Sequence, residues 1–518
     1  MRAALVVIAL APFCLAVDNP AALGERILGE AVAVLRVHDP RWLDKEASRF
    51  AAALGQDPSP LRAIIARGLF CSRSLDGIDL TRPALLAWRP GVAPLVAVVP
   101  ILNRRIFIEQ FGASTDAPLI RIGEREGTVV YSQNSAAGLA EYRLMVGDNN
   151  VAYLARSAAE CRSLALLSLT QAVADAPLAF TAKGSWLAQY DPTKTPGAAT
   201  EPLALSGVPA ALDNLRQLIG GLLPQIQELG LELRPESDEA MRLSLRVQPV
   251  VDSLLGVWIA NQRNQPNRLL PLVRTPQSML TIAGQVAWQG QGERFGAAIG
   301  GLIKARSGPA WSDNVDEAWN NLWSLSDRNG PFAAALDMQI EAPPKGMGLE
   351  WRSLVEQRRA AEVVTFTNTV VSALAGTPGE AVNLAGAQGF RWAQAASGIP
   401  GATMTLVATD RHVIEAHSTI RNADLAAAEL AQKSLGNAAP DQTTAILSTR
   451  LDAAPLARGL ASAQGKPSDT VVQATVLSLA LRTGKAGELK CDIDLPHMRL
   501  AALARDSGLI TPEGPARK

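Results

Sequence analysis

Residues 31–37 (AVAVLRV) are apolar on both faces of an extended chain, and the pattern then switches to helical spacing. Asp39 caps a helix with Pro40 at its first position; Leu43, Ala47, Phe50, Ala51 and Leu54 share one face, and Gly55 stops it. A second helix opens at Ser59-Pro60 and carries Leu61, Ile64, Ile65 and Leu69 at the same period. Strands follow over 84–89 and 95–100, then a short helix from Asn103 to Phe111 that ends at Gly112. Hairpins turn at Glu124 to Gly127 and at Asp148-Asn149-Asn150, residue types that tolerate positive φ. Ser157 with Glu160 three residues on forms a capping box, which predicts a closing helix to about Leu169.

Residues 191–202 (DPTKTPGAATEP) hold three prolines and no periodicity and read as a linker, placed at 191–205. A helix over about 208–228 is expected next, then a hairpin in which Leu231 and Leu233 oppose Met241, Leu243, Leu245 and Val247, with Glu232 facing Arg242 on the wet side. The segment 341–348 (EAPPKGMG) reads as a second break, and the tail 506–518 as flexible. A strand running straight into a helix recurs at 33–54, 241–258, 446–460 and 488–504, where Leu489, Cys491 and Ile493 echo Leu243, Leu245 and Val247. Short turns between strands favour antiparallel pairing. The expected fold class is therefore α+β: antiparallel sheets with helices packed on one face, repeated strand-to-helix units, and two or more domains. The N-terminal domain spans 17–190 and a C-terminal region 206–505, split near 341–348.

Met1-Arg2, an apolar run from Ala3 to Leu15, and Ala16 before a polar stretch have the parts of a secretory signal peptide over 1–16, cleaved after Ala16. Cys14 lacks the flanking residues of a lipoprotein cysteine. No later run is long and apolar enough for a transmembrane segment. Cys71, Cys161 and Cys491 remain, too widely spaced for a disulfide framework or a metal knuckle. They read as small core residues, with a Cys71–Cys161 bridge as the alternative in an oxidising compartment. With 49 Lys+Arg against 49 Asp+Glu among 518 residues, the chain lacks the basic stripe of a nucleic-acid binder, and its 48% hydrophobic content suffices for a sizeable core.

The stretch Gly77-Ile78-Asp79-Leu80, Arg82-Pro83, Val96 to Pro100 and Phe111-Gly112 resembles a motif of predicted-exported bacterial proteins of unknown function, over roughly residues 31–170. The resemblance implies export and an α+β architecture; it carries no catalytic residues.

Four histidines restrict imidazole chemistry. In RHVIEAHS a strand would place Glu415 and His417 on one face and His412 on the other, so no zinc site forms. His38 stands before the Asp39 cap and staples onto Leu43, and His497 begins the last helix. No serine is flanked by the glycines of a nucleophile elbow. Asp316-Glu317 and Glu124 with Glu126, the acid pairs weighed for glycoside hydrolysis, have simpler roles in a helix first turn and a hairpin tip. Gly290, Gly292, Gly296, Gly300 and Gly301 miss the dinucleotide spacing and suit a helix packed closely on a sheet. Trp311, Val315, Trp319, Leu322 and Trp323 form one helical stripe behind Ser312 or Asp313, more a core face than a sugar-stacking platform.

No catalytic, cofactor-binding or metal-binding residue is assigned, and no cofactor is expected. The expectation is an exported protein of the periplasm or cell envelope that binds or scaffolds rather than catalyses. Its partner would be a protein, a glycan or a hydrophobic ligand. A hydrolase of envelope polymers with dispersed carboxylates, or a carrier of hydrophobic cargo, stands as the alternative.

Overall fold

The computed structural model describes residues 20–91, 93–112, 119–135, 138–166, 176–187, 223–288, 310–326, 330–340, 347–393, 401–436, 443–456 and 475–506, with a few shorter stretches between. The expected signal peptide, the 191–205 linker, most of the 208–228 helix and nearly all of the 506–518 tail lie outside the described residues. Two compact units emerge: one holds the chain up to Trp186 with Gly230–Arg234, the other Leu187–Leu229 with Pro235–Thr511.

The first unit is one antiparallel sheet of β1 (Ala33–Val37), β2 (Ala84–Trp88), β3 (Leu95–Pro100), β4 (Ile120–Arg125), β5 (Thr128–Ser135), β6 (Gly138–Val146), β7 (Val151–Ala155) and β8 (Leu178–Lys183). Across the sheet the strands run β8-β1-β2-β3-β7-β6-β5-β4. Helices cover both faces, not one. Leu35, Leu86, Ala97 and Leu154 face a core shared with α2 (Pro40–Leu54), α3 (Ser59–Phe70) and α4 (Arg104–Gln110). Val34, Ala87, Val96 and Tyr153 face α1 (Pro20–Gly29) and α5 (Ala158–Leu164). The central strands are apolar on both sides, so each side needs its own cover.

Local signals set these elements. Asp39 Oδ1 accepts the Trp42 N–H at 2.9 Å, and Gly55 closes α2 at φ 71°. On α3 the buried positions are Ala66 and Phe70, while Ile64 is exposed. Ser157 Oγ caps α5 by accepting from Glu160 N at 3.2 Å. The reciprocal half of the capping box is absent: the Glu160 carboxylate accepts from Arg156 N at 3.0 Å and pairs through both oxygens with the buried Arg89, at 3.1 and 2.8 Å. In the motif of the first unit, Gly77 takes φ +83°, where a Cβ would meet the Phe107 nitrogen at 3.0 Å.

Cys71 packs against the core on one side of this sheet and Cys161 lies in the core on the other, and both thiols are free, so no Cys71–Cys161 bridge forms. Burial pushes the Cys71 thiol up to about 11 and that of Cys161 up to about 12. Raised values mean less thiolate. Against a thiol of 9.0, a value of about 11 leaves roughly a hundredfold less nucleophile at pH 8. Iodoacetamide is expected to modify Cys161 only after unfolding in urea; rapid alkylation of the folded protein at Cys161, read by peptide mass, would contradict its burial.

The second unit holds the two ends of β9 (Ile226–Ser237), whose middle, Gly230–Arg234, belongs to the first, and β10 (Ala240–Pro249), β11 (Gln265–Pro266), β12 (Ser278–Gly284), β13 (Phe332–Ile340), β14 (Met347–Glu356), β15 (Glu380–Leu384), β16 (Ala387–Trp392), β17 (Thr403–Ala408), β18 (His412–Ser418), β19 (Thr444–Ala445), β20 (Leu447–Asp452), β21 (Val476–Thr483) and β22 (Leu489–Leu495). Its helices are α6 (Leu254–Asn261), α7 (Leu270–Val273), α8 (Asp313–Ser326), α9 (Ala360–Ala375), α10 (Ala423–Ser434) and α11 (His497–Asp506). From β10 the antiparallel order is β10-β22-β21-β20-β12-β13-β14-β18-β17-β16-β15. The last strand is thus inserted between β10 and β21. The echoed residues meet directly there, Leu243 opposite Ile493, Leu245 opposite Cys491 and Val247 opposite Leu489.

Both faces of the β12–β18 region are covered as well: α7 and α10 pack on Leu354, Val407 and Ile414, and α9 on Met404, Leu406 and Val413. Most of the expected break at 341–348 lies outside the described residues, and the strands on either side of it, β13 and β14, pair from Phe332↔Val355 to Ile340↔Met347. The expected helix over 208–228 has given way by Ile226, where β9 begins. Glu232 and Arg242 do not pair. Glu232 binds Arg234 on its own strand, while Arg242 takes Glu236 at 2.9 Å and Asp494 at 2.6 Å, the latter supplied by the neighbouring β22.

The tryptophan stripe is core: Trp311, Val315 and Ala318 are buried with Val370 of α9, and Trp311 stacks edge-on with Trp319 at 5.7 Å. The glycine series packs helix on helix rather than helix on sheet. A Cβ at Gly296 would lie 2.3 Å from Trp323 Cγ and one at Gly300 2.5 Å from Trp319 Nε1, and Trp319 Nε1 donates to Gly296 O at 2.7 Å. Gly290 and Gly292 lie outside the described residues. No helix among the described residues is long and apolar enough to cross a membrane.

Candidate functional site

The alternation of β10, β20, β21 and β22 separates their side chains by face. One face is leucine-rich; the other carries a cross-strand row of polar groups. Arg242 opposes Asp494, Asp494 opposes Ser478, Ser478 opposes Arg450, and Arg450 opposes Thr281. One register step along, Ser244 opposes Asp492, which opposes Ala480 and then Ser448. Small residues in this second row leave space above it. A polar cavity of about 450 Å³ results, lined also by Arg274 after α7 and by Asp441 and Thr443 of the segment before β19.

Two of the three acids in this cavity are already committed. Asp494 accepts Arg242 Nε at 2.6 Å and Ser478 Oγ at 2.9 Å. Asp492 accepts Ser244 Oγ at 2.8 Å and Arg482 Nη1 at 2.9 Å. The Asp494 hydrogen bond, opposed by partial burial, holds Arg242 above the ordinary arginine range. Two cations are not committed. Among the described residues neither Arg274 nor Arg450 has a carboxylate partner, and Arg450 sits mid-strand between the hydroxyl-bearing Ser478 and Thr281. Arg274 is exposed, but Arg450 is half-buried, and a half-buried guanidinium without a counter-charge is costly unless water or an anion reaches it. The lining residues include no imidazole and no thiol. Ser478 donates to Asp494, and Ser448 to Ala283 O at 3.3 Å, so neither serine is set against a base.

The histidine motif behaves as its strand period requires. His417 Nε2 lies 2.7 Å from Glu415 Oε1, and Ser353 Oγ donates to Glu415 Oε2 at 3.1 Å. His412 is in register with Glu356, on the other face. Burial pushes the Glu415 carboxyl up, but hydrogen bonds and charge from His417, with Ser353 and Trp351, outweigh it and leave it below the usual carboxylate range. The carboxylate stands between hydroxyl and imidazole, so the ring does not reach the serine and no nucleophilic triad is assembled. Among the described residues no group of three or more acids, histidines or cysteines could hold a metal ion.

The other expected positions have structural roles. His38 donates its backbone N–H to Pro177 O at 2.8 Å, and burial, then Arg36, lowers its imidazole. His497 begins α11. Asp316 accepts Trp311 Nε1 at 2.8 Å and pairs with Lys304 at 3.5 Å. Glu124 pairs with Arg121 at 2.8 Å, and Glu126 takes the positive-φ position of its turn. Neither acid pair lines the polar cavity.

Comparison with family models, curated proteins and solved structures finds no match. The cavity therefore stands on its own chemistry.

Arg450, Arg274, Asp441, Asp492 and Asp494 were not singled out in the sequence. The local signal was present as strict alternation in LKCDIDL and VLSLALR. That alternation reads as an ordinary wet face until the register sets arginines against aspartates from distant segments.

Proposed function

We propose that the protein is an exported binding protein of the cell envelope that holds a small anionic ligand at Arg450 and does not transform it. The carrying observation is the pair of uncommitted guanidiniums, Arg450 and Arg274, in a cavity of about 450 Å³ whose other charges neutralise one another apart from Asp441. Such a volume suits a ligand of one or two rings. Export is supported by the parts of a signal peptide in residues 1–16, and N-terminal sequencing of the envelope fraction should begin at Val17.

Calorimetric titration of the full chain with a panel of organic and inorganic anions tests the binding reading. At least one anion should bind with an affinity that falls as salt rises, and Arg450→Gln should weaken it at least about tenfold. Unchanged affinity in that variant would remove the proposal. The hydrolase alternative would instead show product release from envelope glycans that is abolished by Asp494→Asn.

A carrier of hydrophobic cargo has one observation in its favour, the half-buried apolar face of Leu243, Leu245, Leu477, Leu481 and Ile493 behind the same strands. Lipid retained in stoichiometric amount by the purified protein would favour that reading.

A further inference from the structure

We infer that the ligand of the Arg450 cavity is a monoanionic hydroxy acid of sugar size, such as a uronic or aldonic acid, with Asp441 reading its hydroxyls. This rests on the anion-binding reading and narrows it.

The charge of the lining is the first argument. Four arginines (242, 274, 450 and 482) face three aspartates (441, 492 and 494), so the cavity carries 4 − 3 = +1. Arg242 is held by Asp494 and by Glu236 outside the lining, and Arg482 by Asp492, which leaves the guanidiniums of Arg450 and Arg274 and the carboxylate of Asp441 for the ligand. A ligand of charge −1 makes the occupied site neutral.

Asp441 supplies the second argument. Its Oδ1 accepts from Thr443 N at 3.2 Å and from Thr443 Oγ1 at 3.4 Å, and its other oxygen has no donor among the described residues. Inorganic phosphate or sulfate would satisfy the arginines yet repel this carboxylate. A zwitterionic amino acid would satisfy Asp441 through its ammonium, but its zero charge leaves the site cationic. A hydroxy acid gives its carboxylate to Arg450 and Arg274 and donates an O–H to Asp441, with Ser448 and Thr281 at hand for further hydroxyls.

The third argument is that the lining residues include no aromatic side chain. A neutral sugar would find no ring to stack on, so a carboxylate has to supply the affinity.

Calorimetry on the full chain decides among these ligands, using D-glucuronate, D-gluconate, D-glucose, inorganic phosphate and L-alanine at one low ionic strength. Glucuronate or gluconate is expected to bind at least tenfold more tightly than the other three. Asp441→Asn should weaken that binding about tenfold and leave phosphate affinity equal or higher. Arg450→Gln, checked for an unchanged thermal midpoint, should remove binding of every anion. Phosphate or alanine binding as tightly as glucuronate, or Asp441→Asn leaving glucuronate unaffected, overturns the hydroxy-acid inference while the anion site stands. No binding of any anion, or binding indifferent to Arg450→Gln, overturns the site itself.

Discussion

Asp337→Ala is expected to destabilise the protein by about 3–5 kcal/mol, the range for removing one partner of a buried ion pair. Asp337 and Arg352 are 4% and 3% exposed, and they pair across β13 and β14 beneath α10. Asp337 also accepts Thr275 Oγ1 and Ser278 Oγ, both at 2.7 Å. Without it Arg352 keeps the Thr275 hydroxyl at 3.4 Å and, as a carboxylate, Glu350 at 3.5 Å, which Arg421 already holds at 2.8 Å. The cost is that of an under-compensated buried cation, so a second change should undo it. Asp337→Leu with Arg352→Met is expected to recover most of the loss, because apolar replacements of similar volume remove both desolvation costs together. Urea unfolding measures both. A single-variant loss under about 1 kcal/mol would mean that water reaches the pair.

Phe107→Ala is expected to cost about 3–5 kcal/mol, through lost transfer energy and the cavity left behind. Phe107 is fully buried on α4, with Phe111 at 5.1 Å and Tyr131 beyond Phe111 at 5.4 Å. Its backbone nitrogen also lies against Gly77, so neither the loop nor the helix has slack to fill the void. Phe107→Leu keeps most of the volume and is expected to cost about 1–1.5 kcal/mol. Equal losses for the two variants, measured by chemical denaturation, would show that the site collapses around either side chain.

Elements set by short-range chemistry were legible in the chain. The start and stop of α2 follow from Asp39, Pro40 and Gly55, and the stripe from Trp311 to Trp323 was recognised as core from its period. Long-range partners were not. Arg242 could be matched locally to Glu232, but its true neighbour, Asp494, lies on a strand 252 residues away. Ser157 caps its helix as its spacing predicts, but the Glu160 carboxylate, expected to complete the capping box, answers the buried Arg89, 71 residues earlier. For the same reason the wet-face residues Arg450 and Ser478 could not be recognised as a cavity wall before the register joined β12, β20, β21 and β22. Helices on both faces are foreshadowed by 31–37, apolar on both sides of an extended chain.

The insertion of β22 between β10 and β21 governs how the second unit comes to be made. Leu243 waits for Ile493, so during synthesis the nascent chain presents two raw strand margins until β22 arrives. A polypeptide cut short before Leu489 would keep both margins open and adhere to others of its kind through them, which makes premature termination near the C-terminus more damaging than many substitutions within the folded protein.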